Sequence, residues 1–320
     1  MHTEPAEVLT NAAWDAAQVT AQLSIVVPFK DFDVAPLAGR LLDGANAAGA
    51  IVPIIFVDDG SANPAYRKRL WAALSAASQP CQMMALRRNV GRAKVRNYLC
   101  QVARTTYLLY LDADMWPDRP DFLARYLAWI AQGGVDVIYG GRSANTVALT
   151  GPEYELHRLM TVERETLPAS TRRESPAYHF YSCNFVVRRD ILDAYPLDEQ
   201  FTGWGWEDCE WACRVAEKYQ IRHEDNSASH LGLLTAPQIL QKYDESIGNF
   251  SLMLDKRPAL ITGTSLYKVA RLIGLLHVQA LMAPLARWMA ESRLLPMSMR
   301  MRGLMFYKAS LYAPVVGRRP

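Results

Sequence analysis

Cysteine is scarce in this chain: its 320 residues include five, at positions 81, 100, 183, 209 and 213. The number is odd and three of them sit in apolar strand or helix patterns. That excludes a disulfide framework and fits a reducing compartment. Cys209 and Cys213 stand one helical turn apart, but no nearby Cys or His pair completes a zinc site, so they read as core residues. Long apolar runs are missing too. The greasiest stretch, residues 272–286, is interrupted by His277, Gln279 and Pro284 and is too short for a bilayer. Residues 1–22 lack a basic start followed by an apolar core, so no signal peptide is expected. The first apolar strand leads into Pro28-Phe29-Lys30 with no G-x-G-x-x-G after it, which argues against a dinucleotide fingerprint. No internal repeat or low-complexity segment is visible. Acids nearly vanish after residue 255. From Lys256 to Pro320 there are eleven Lys or Arg and one acid, Glu291, a balance near +10 against −7 for the rest. Such asymmetry suggests an anionic contact, or a basic appendage packed on an acidic body.

Half of the residues are apolar, enough for a sizeable core. Apolar strands are expected at 23–29, 53–57, 83–86, 107–111, 135–139 and 180–187. Helices are expected at 34–48, 64–77, 91–103, 121–132 and 206–219. Strand and helix alternate through residue 111, which predicts an α/β fold with a mostly parallel central sheet and helical crossovers. Residues 142–175 suggest one helix and a mobile loop, and the pattern is helical from Pro237 onward.

Four motifs carry chemistry. Asp112-Ala113-Asp114 ends the apolar run Tyr107–Leu111. Two carboxylates delivered to the carboxyl end of a buried strand suit a hard divalent cation shared with a diphosphate. Asp58 and Asp59 end the second strand before Gly60-Ser61, where a carboxylate can accept from a ribose hydroxyl or a base imino group, or simply start a turn. Arg92 and Arg96 share one face of a helix that opens after Gly91, suited to a diphosphate or to solvent. Gly203-Trp204-Gly205-Trp206-Glu207-Asp208 sets two acids in a first helical turn, which is locally favourable. That does not account for the tryptophans, which can form a platform for a sugar face.

Ser24–Phe29, Val57–Ser61, Asn89–Asn97 and Leu111–Asp114 resemble, in order and spacing, the family 2 glycosyltransferases of GT-A fold. The segment 203–208 is similar to the acceptor-side motif of β-1,4-galactosyltransferases, chondroitin-polymerase-type enzymes and polypeptide GalNAc-transferases. The resemblance covers about residues 23–235. It implies a nucleotide-sugar donor, usually a UDP-sugar, with Mn²⁺ or Mg²⁺. Asp59, with Asp58 beside it, would hold uracil. Pro28, Phe29, Arg92, Arg96 and the Asp112-Ala113-Asp114 run complete the donor side. Asp112, Asp114 and His230 would be the metal ligands, with Asp114 the direct one and His223 the rival histidine. Trp204, Gly205, Trp206 and Glu207 would bind the acceptor, and Asp208 would be the general base of an inverting transfer, with Glu207 holding a second acceptor hydroxyl.

The expected organisation is a tail at 1–22, a catalytic domain at 23–235 and a basic helical extension at 236–320, the domain dividing at 134/135 into donor and acceptor halves. Within the extension, residues 264–292 read as an amphipathic helix pair broken at Pro284, and Arg293, Arg300, Arg302 and Lys308 alternate with apolar residues. That pattern fits a helix lying in an anionic membrane interface or a flap on the catalytic domain. The expected function is transfer of a hexose or N-acetylhexosamine from a UDP-sugar to a glycan or lipid-linked glycan in cell-surface polysaccharide synthesis. The expected location is cytoplasmic, peripheral on the inner face of the plasma membrane, with no nucleic-acid partner. A sugar-1-phosphate nucleotidylyltransferase and a non-catalytic nucleotide-sugar scaffold are the rival readings.

Overall fold

The computed structural model describes residues 4–14, 21–146 and 150–317. The chain divides into two compact units, and neither is one continuous stretch. The first holds 1–147, 166–199 and 211–232; the second holds 148–165, 200–210 and 233–320. The linear division expected at residue 235 is therefore replaced by an interleaved one. The tryptophan-glycine segment groups with the basic C-terminal helices.

The strands are β1 (Pro5–Thr10), β2 (Leu23–Phe29), β3 (Ile54–Asp58), β4 (Cys81–Leu86), β5 (Tyr107–Leu111), β6 (Met115–Pro117), β7 (Val137–Tyr139), β8 (Arg142–Ser143), β9 (Asn184–Arg188), β10 (Ile221–His223) and β11 (Ala228–His230). The helices are α1 (Ala35–Ala47), α2 (Ala65–Leu74), α3 (Arg92–Val102), α4 (Phe122–Gln132), α5 (Glu155–Met160), α6 (Ala169–Arg172), α7 (Arg189–Ala194), α8 (Glu207–Ala216), α9 (Ala236–Glu245), α10 (Ile247–Lys256), α11 (Pro258–Thr262), α12 (Ser265–Leu275), α13 (Gln279–Glu291) and α14 (Met297–Gly317).

In the first unit the main sheet runs β1-β4-β3-β2-β5-β9-β7-β10. The four strands β4, β3, β2 and β5 are parallel, and β2, β3 and β5 are apolar almost throughout because helices cover both faces. The chain moves from β2 outward to β3 and β4, then returns to β5 on the other side of β2. That reversal opens a crevice at the carboxyl ends of β2 and β5, where open α/β sheets keep their ligands. Tyr110 and Phe185 stack at 4.9 Å in the core, with Trp211 packed against Phe185. Each such fully buried apolar side chain contributes about 1.5–3 kcal/mol.

Three local expectations are corrected. The stretch read as a tail contains β1, which pairs antiparallel with β4, and Asn11 fastens it through bonds to the carbonyls of Leu74, Ala77 and Gln79. The strand expected at 180–187 begins at Asn184 and lies antiparallel to β5 and β7. The polar stretch 142–175 contains β8, α5, a π-helical turn at Thr161–Glu165 and α6; residues 147–149 lie outside the described residues. A small second sheet, β6-β11-β8, follows β5.

The second unit is helical. Leu156, Met160, Ile239, Leu240, Tyr243, Ala286, Ala290 and Leu304 share its core. α14 packs against α12 and α13 at close range. A Cβ on Gly303 would come within 2.8 Å of the Ala286 carbonyl, and one on Gly274 within 2.9 Å of the Ala313 carbonyl. Arg300, expected on a membrane-facing surface, is buried and donates to the Ala290 carbonyl at 3.1 Å. The helix pair is not broken at Pro284, which lies inside α13. The break is at residues 276–278, where His277 takes a φ of 56°.

Candidate active site

β3 delivers Asp58 and Asp59, and the two carboxylates have different tasks. Asp58 is fully buried. Its Oδ1 accepts from the Ser61 amide at 2.8 Å and the Ser61 hydroxyl at 2.5 Å, and its Oδ2 from Arg67 at 2.8 Å. Asp59 receives the amides of Val90 (2.7 Å) and Gly91 (3.1 Å), which lead directly into α3. Burial pushes the Asp59 carboxyl up, and those two N–H groups offset only part of the rise. Gly60 makes the approach of the two loops possible: its φ is +74°, and a Cβ there would lie 2.6 Å from the Asn89 amide. Phe29 ends β2 and accepts the Asp59 amide at 2.8 Å, with half-buried Pro28 beside it.

α3 carries the arginines toward the end of β5. Arg96 is buried and forms an ion pair with Asp112 Oδ1; Arg92 is more exposed and lies 3.9 Å from Asp112 Oδ2. Asp112, Ala113 and Asp114 form the turn between β5 and β6, closed by the Met115 amide bonding to the Asp112 carbonyl at 3.0 Å. β6 then pairs antiparallel with β11, setting His230 opposite Met115. His230 Nε2 lies 3.1 Å from Asp114 Oδ2, and the Leu231 amide donates to the Asp114 carbonyl at 2.8 Å. Burial would raise the Asp114 carboxyl, but His230, Arg142 and Arg92 outweigh it and hold the group well below the usual carboxylate range.

The other histidine lies elsewhere. His223 is fully buried, Arg172 donates to its Nδ1 at 3.3 Å, and its Nε2 meets the Pro176 carbonyl at 3.0 Å. Burial, with Arg172 adding to it, lowers its pKa to about 4.

Among the described residues no three His, Cys, Asp or Glu side chains are grouped closely enough to cage a metal by themselves. The donor set nevertheless fits a Mg²⁺- or Mn²⁺-type ion, which binds through one or two protein ligands and takes its remaining oxygens from phosphate and water. Gly232 keeps the position clear, since a Cβ there would lie 2.2 Å from Asp114 Oδ2 and 3.2 Å from His230 Nε2. Gly232 is one residue that sequence reasoning missed. Asp118 is another: it accepts from Ser143 and Ser227 at 2.6 Å each and also from Ser229, so it fixes the strand that presents His230. The serines alternate with apolar residues in the sequence, but nothing there names the acid they share.

In the second unit, Gly203 through Asp208 wrap against α9, α10 and α14. The Gly203 amide donates to Asn249 Oδ1 at 3.3 Å, and Asn249 Nδ2 returns a bond to the Gly205 carbonyl at 2.8 Å. Gly205 has a φ of 78°, and so, unusually for a tryptophan, Trp206 has one of 75°. Trp204 packs on Tyr243 at 5.9 Å and Trp206 on Phe250 at 5.7 Å. Trp206 Nε1 donates to the Tyr312 hydroxyl at 3.3 Å. Glu207 is buried at the start of α8 and Asp208 follows it, half-buried.

Residues 24–195, just over half of the chain, match the family described as "Glycosyl transferase family 2". The chain belongs to that family. It is a glycosyltransferase with the GT-A fold. Among solved structures it is similar to the mannosyltransferase PcManGT from Pyrobaculum calidifontis in complex with GDP-Man and Mn²⁺: 17% identity over 93% of this chain and 88% of that one, TM-score 0.52. Lower similarities reach S. aureus TarS residues 1–349 (13% identity, 92% and 90% covered, TM-score 0.47) and glucosyl-3-phosphoglycerate synthase from Mycobacterium tuberculosis in complex with Mn²⁺, UDP and glucosyl-3-phosphoglycerate (12% identity, 76% and 82% covered, TM-score 0.47). No curated protein matches the chain. At such identities the likeness speaks for the fold, and it is the family match that speaks for glycosyl transfer.

Proposed function

We propose that this glycosyltransferase is metal-dependent and inverting, and moves a hexose or N-acetylhexosamine from a UDP-sugar to a glycan or lipid-linked glycan in cell-surface polysaccharide synthesis. The observation that carries the donor side is the pairing of Asp114 with His230 at the carboxyl end of β5, next to the arginine-bearing helix. Asp59 orders the loop that opens α3 and presents its remaining lone pairs to the base. Asp58, buried and satisfied by Ser61 and Arg67, holds the turn between β3 and α2 rather than the ligand. Arg92 faces the diphosphate, and Asp112 orients both arginines. Asp114 and His230 would hold the divalent ion, which supplies neutralisation of the charge growing on the departing diphosphate.

Transfer is a single displacement. The acceptor hydroxyl oxygen bonds to the anomeric carbon, the bond from that carbon to the phosphate oxygen breaks, and UDP leaves with the electron pair. Asp208 takes the hydroxyl proton, and Glu207 holds a neighbouring acceptor hydroxyl. Trp204 and Trp206 offer the sugar an aromatic surface. Asp208→Asn should reduce sugar transfer by at least about a hundredfold while UDP binding stays unchanged. Near-normal transfer by that variant would remove Asp208 from the base role.

What the helical unit leaves uncovered supports a reading in which the acceptor lies at an anionic membrane surface. Leu272, Leu275 and Leu276 at the end of α12, Leu281, Leu285 and Trp288 along α13, and Leu294 beyond it are all exposed, Leu294 to 93%. Positions 281, 285 and 288 follow helical spacing and form one apolar stripe. Lys268, Arg271, Arg287 and Arg293 are exposed around them, and the nearby acid Glu291 is paired with Arg287 at 3.2 Å. A second copy of this face would set like charge against like charge, whereas anionic headgroups complement it.

A further inference from the structure

Among the described residues, an ammonium group of the second unit is paired with no carboxylate. Lys308 rises from the middle of α14, and its Nζ lies 4.8 Å from the ring centre of Tyr243, 5.6 Å from that of Trp206 and 5.9 Å from that of Tyr312. Among the described residues no carboxylate pairs with it and no acceptor takes a hydrogen bond from it; its close company is aromatic. Glu165 attracts it and Arg164 repels it from farther off. Burial, with Arg164 adding to it and Glu165 opposing, lowers its pKa to about 8.

This arrangement is costly for a purely structural residue. Cation–π contact offsets only part of the hydration that a half-buried, unpaired ammonium gives up. Methionine would fill the same slot without the charge. A second cost falls at the same point. Trp206, whose ring flanks the ammonium, holds a left-handed backbone, an unfavourable one for a residue with a side chain. Its conformation is fixed by Gly205 before it and by the Tyr312 hydroxyl at its Nε1, which is itself anchored to Ser246 Oγ at 2.6 Å. Trp206 immediately precedes Glu207 and Asp208. Two unfavourable local features, a strained aromatic residue and a cation without a paired carboxylate, thus meet beside the acceptor motif. An oxyanion on the acceptor would relieve the second of them.

We infer that Lys308, with the rings of Trp206 and Tyr243, forms an acceptor subsite that takes an anionic substituent, a phosphate or carboxylate borne by the acceptor, while the sugar carrying it lies against Trp206. This rests on the glycosyltransferase reading above, in which the acceptor meets Trp204–Asp208, and adds that the acceptor is charged. The donor-side residues of the first unit have no part in it.

Lysine-¹³C-labelled full-length protein tests it, with the Lys308 Cε resonance assigned by its loss in Lys308→Arg. Methyl phosphate, acetate and neutral methyl glucoside are titrated in separate arms, and Mn²⁺-dependent UDP binding is measured on the same sample. A saturable shift of the Lys308 resonance is expected with methyl phosphate or acetate and none with methyl glucoside. The anion that saturates first identifies the substituent. Lys308→Arg should retain anion binding, and Lys308→Met should lose it by about tenfold or more with its UDP affinity unchanged. A resonance that responds to neither anion while UDP binds overturns this inference alone. Failure of UDP to bind, whatever the anions do, counts against the donor-site reading instead. Equal anion affinity in Lys308→Met and the parent would also overturn it, since a lysine that only props Trp206 predicts that result.

Discussion

At the residue scale, neighbouring side chains of the same chemical type separate by what surrounds them. Asp58 and Asp59 are adjacent, yet one is consumed by Ser61 and Arg67 and the other orders the loop that opens α3. His230 meets Asp114, and His223 is sealed under Arg172. Asp114→Ala should therefore weaken Mn²⁺-dependent UDP binding by at least about tenfold in calorimetry, and His230→Gln should do the same with the fold intact. Unchanged titration in either variant would disqualify the pair as metal ligands. His223 makes a separate prediction. Its pKa is depressed in the folded state, so the unfolded chain binds the extra proton first as pH falls. Stability should be complete above about pH 6.5 and decline toward pH 4, by as much as a few kcal/mol. Denaturant unfolding at several pH values checks this, and His223→Gln should flatten the acid side of that curve.

At the element scale, the site depends on where strands end and which edges are covered. Asp112–Asp114 sit where they do because β5 is apolar up to Leu111 and the chain must turn before β6. The alternation of apolar strands and amphipathic helices made that part legible in the sequence. β1 was not legible, since Pro5–Thr10 is short and largely exposed, and takes its strand character from the free edge of β4. Such an edge invites pairing with another chain. Deleting residues 1–11 should leave Cys81–Leu86 uncovered, lowering thermal stability and raising concentration-dependent aggregation in light scattering. A monodisperse deletion variant of parental stability would show that β1 is dispensable. Pro284 misled for a related reason. A proline removes one helical hydrogen bond, but here α13 continues through it and the Gly274-to-Val278 turn makes the break.

At the scale of the whole molecule, the charge asymmetry of the sequence survives folding but is redistributed. Arg300 turns inward and Lys308 enters an aromatic cluster, while Lys268, Arg271, Arg287 and Arg293 remain outside with the exposed leucines. No helix among the described residues is long and apolar enough to cross a membrane. The full-length protein should co-sediment with vesicles containing phosphatidylglycerol and not with pure phosphatidylcholine, and binding should weaken as salt rises. Leu281→Glu combined with Leu285→Glu should abolish co-sedimentation without loss of UDP binding. Retention by the double variant would refute the membrane contact.

The sequence by itself determined the α/β alternation, the carboxylates at strand ends and the family, because buried strands need unbroken apolar runs and catalytic turns need particular residue types at fixed offsets. The tertiary structure decided which histidine joins Asp114, which aspartate is free to serve a ligand, and that the basic C-terminal helices build the support of the tryptophan-glycine segment. Those are questions of which distant residues become neighbours. Local pattern fixes a residue's face and element, and only the packing of elements across long sequence separations fixes its partner.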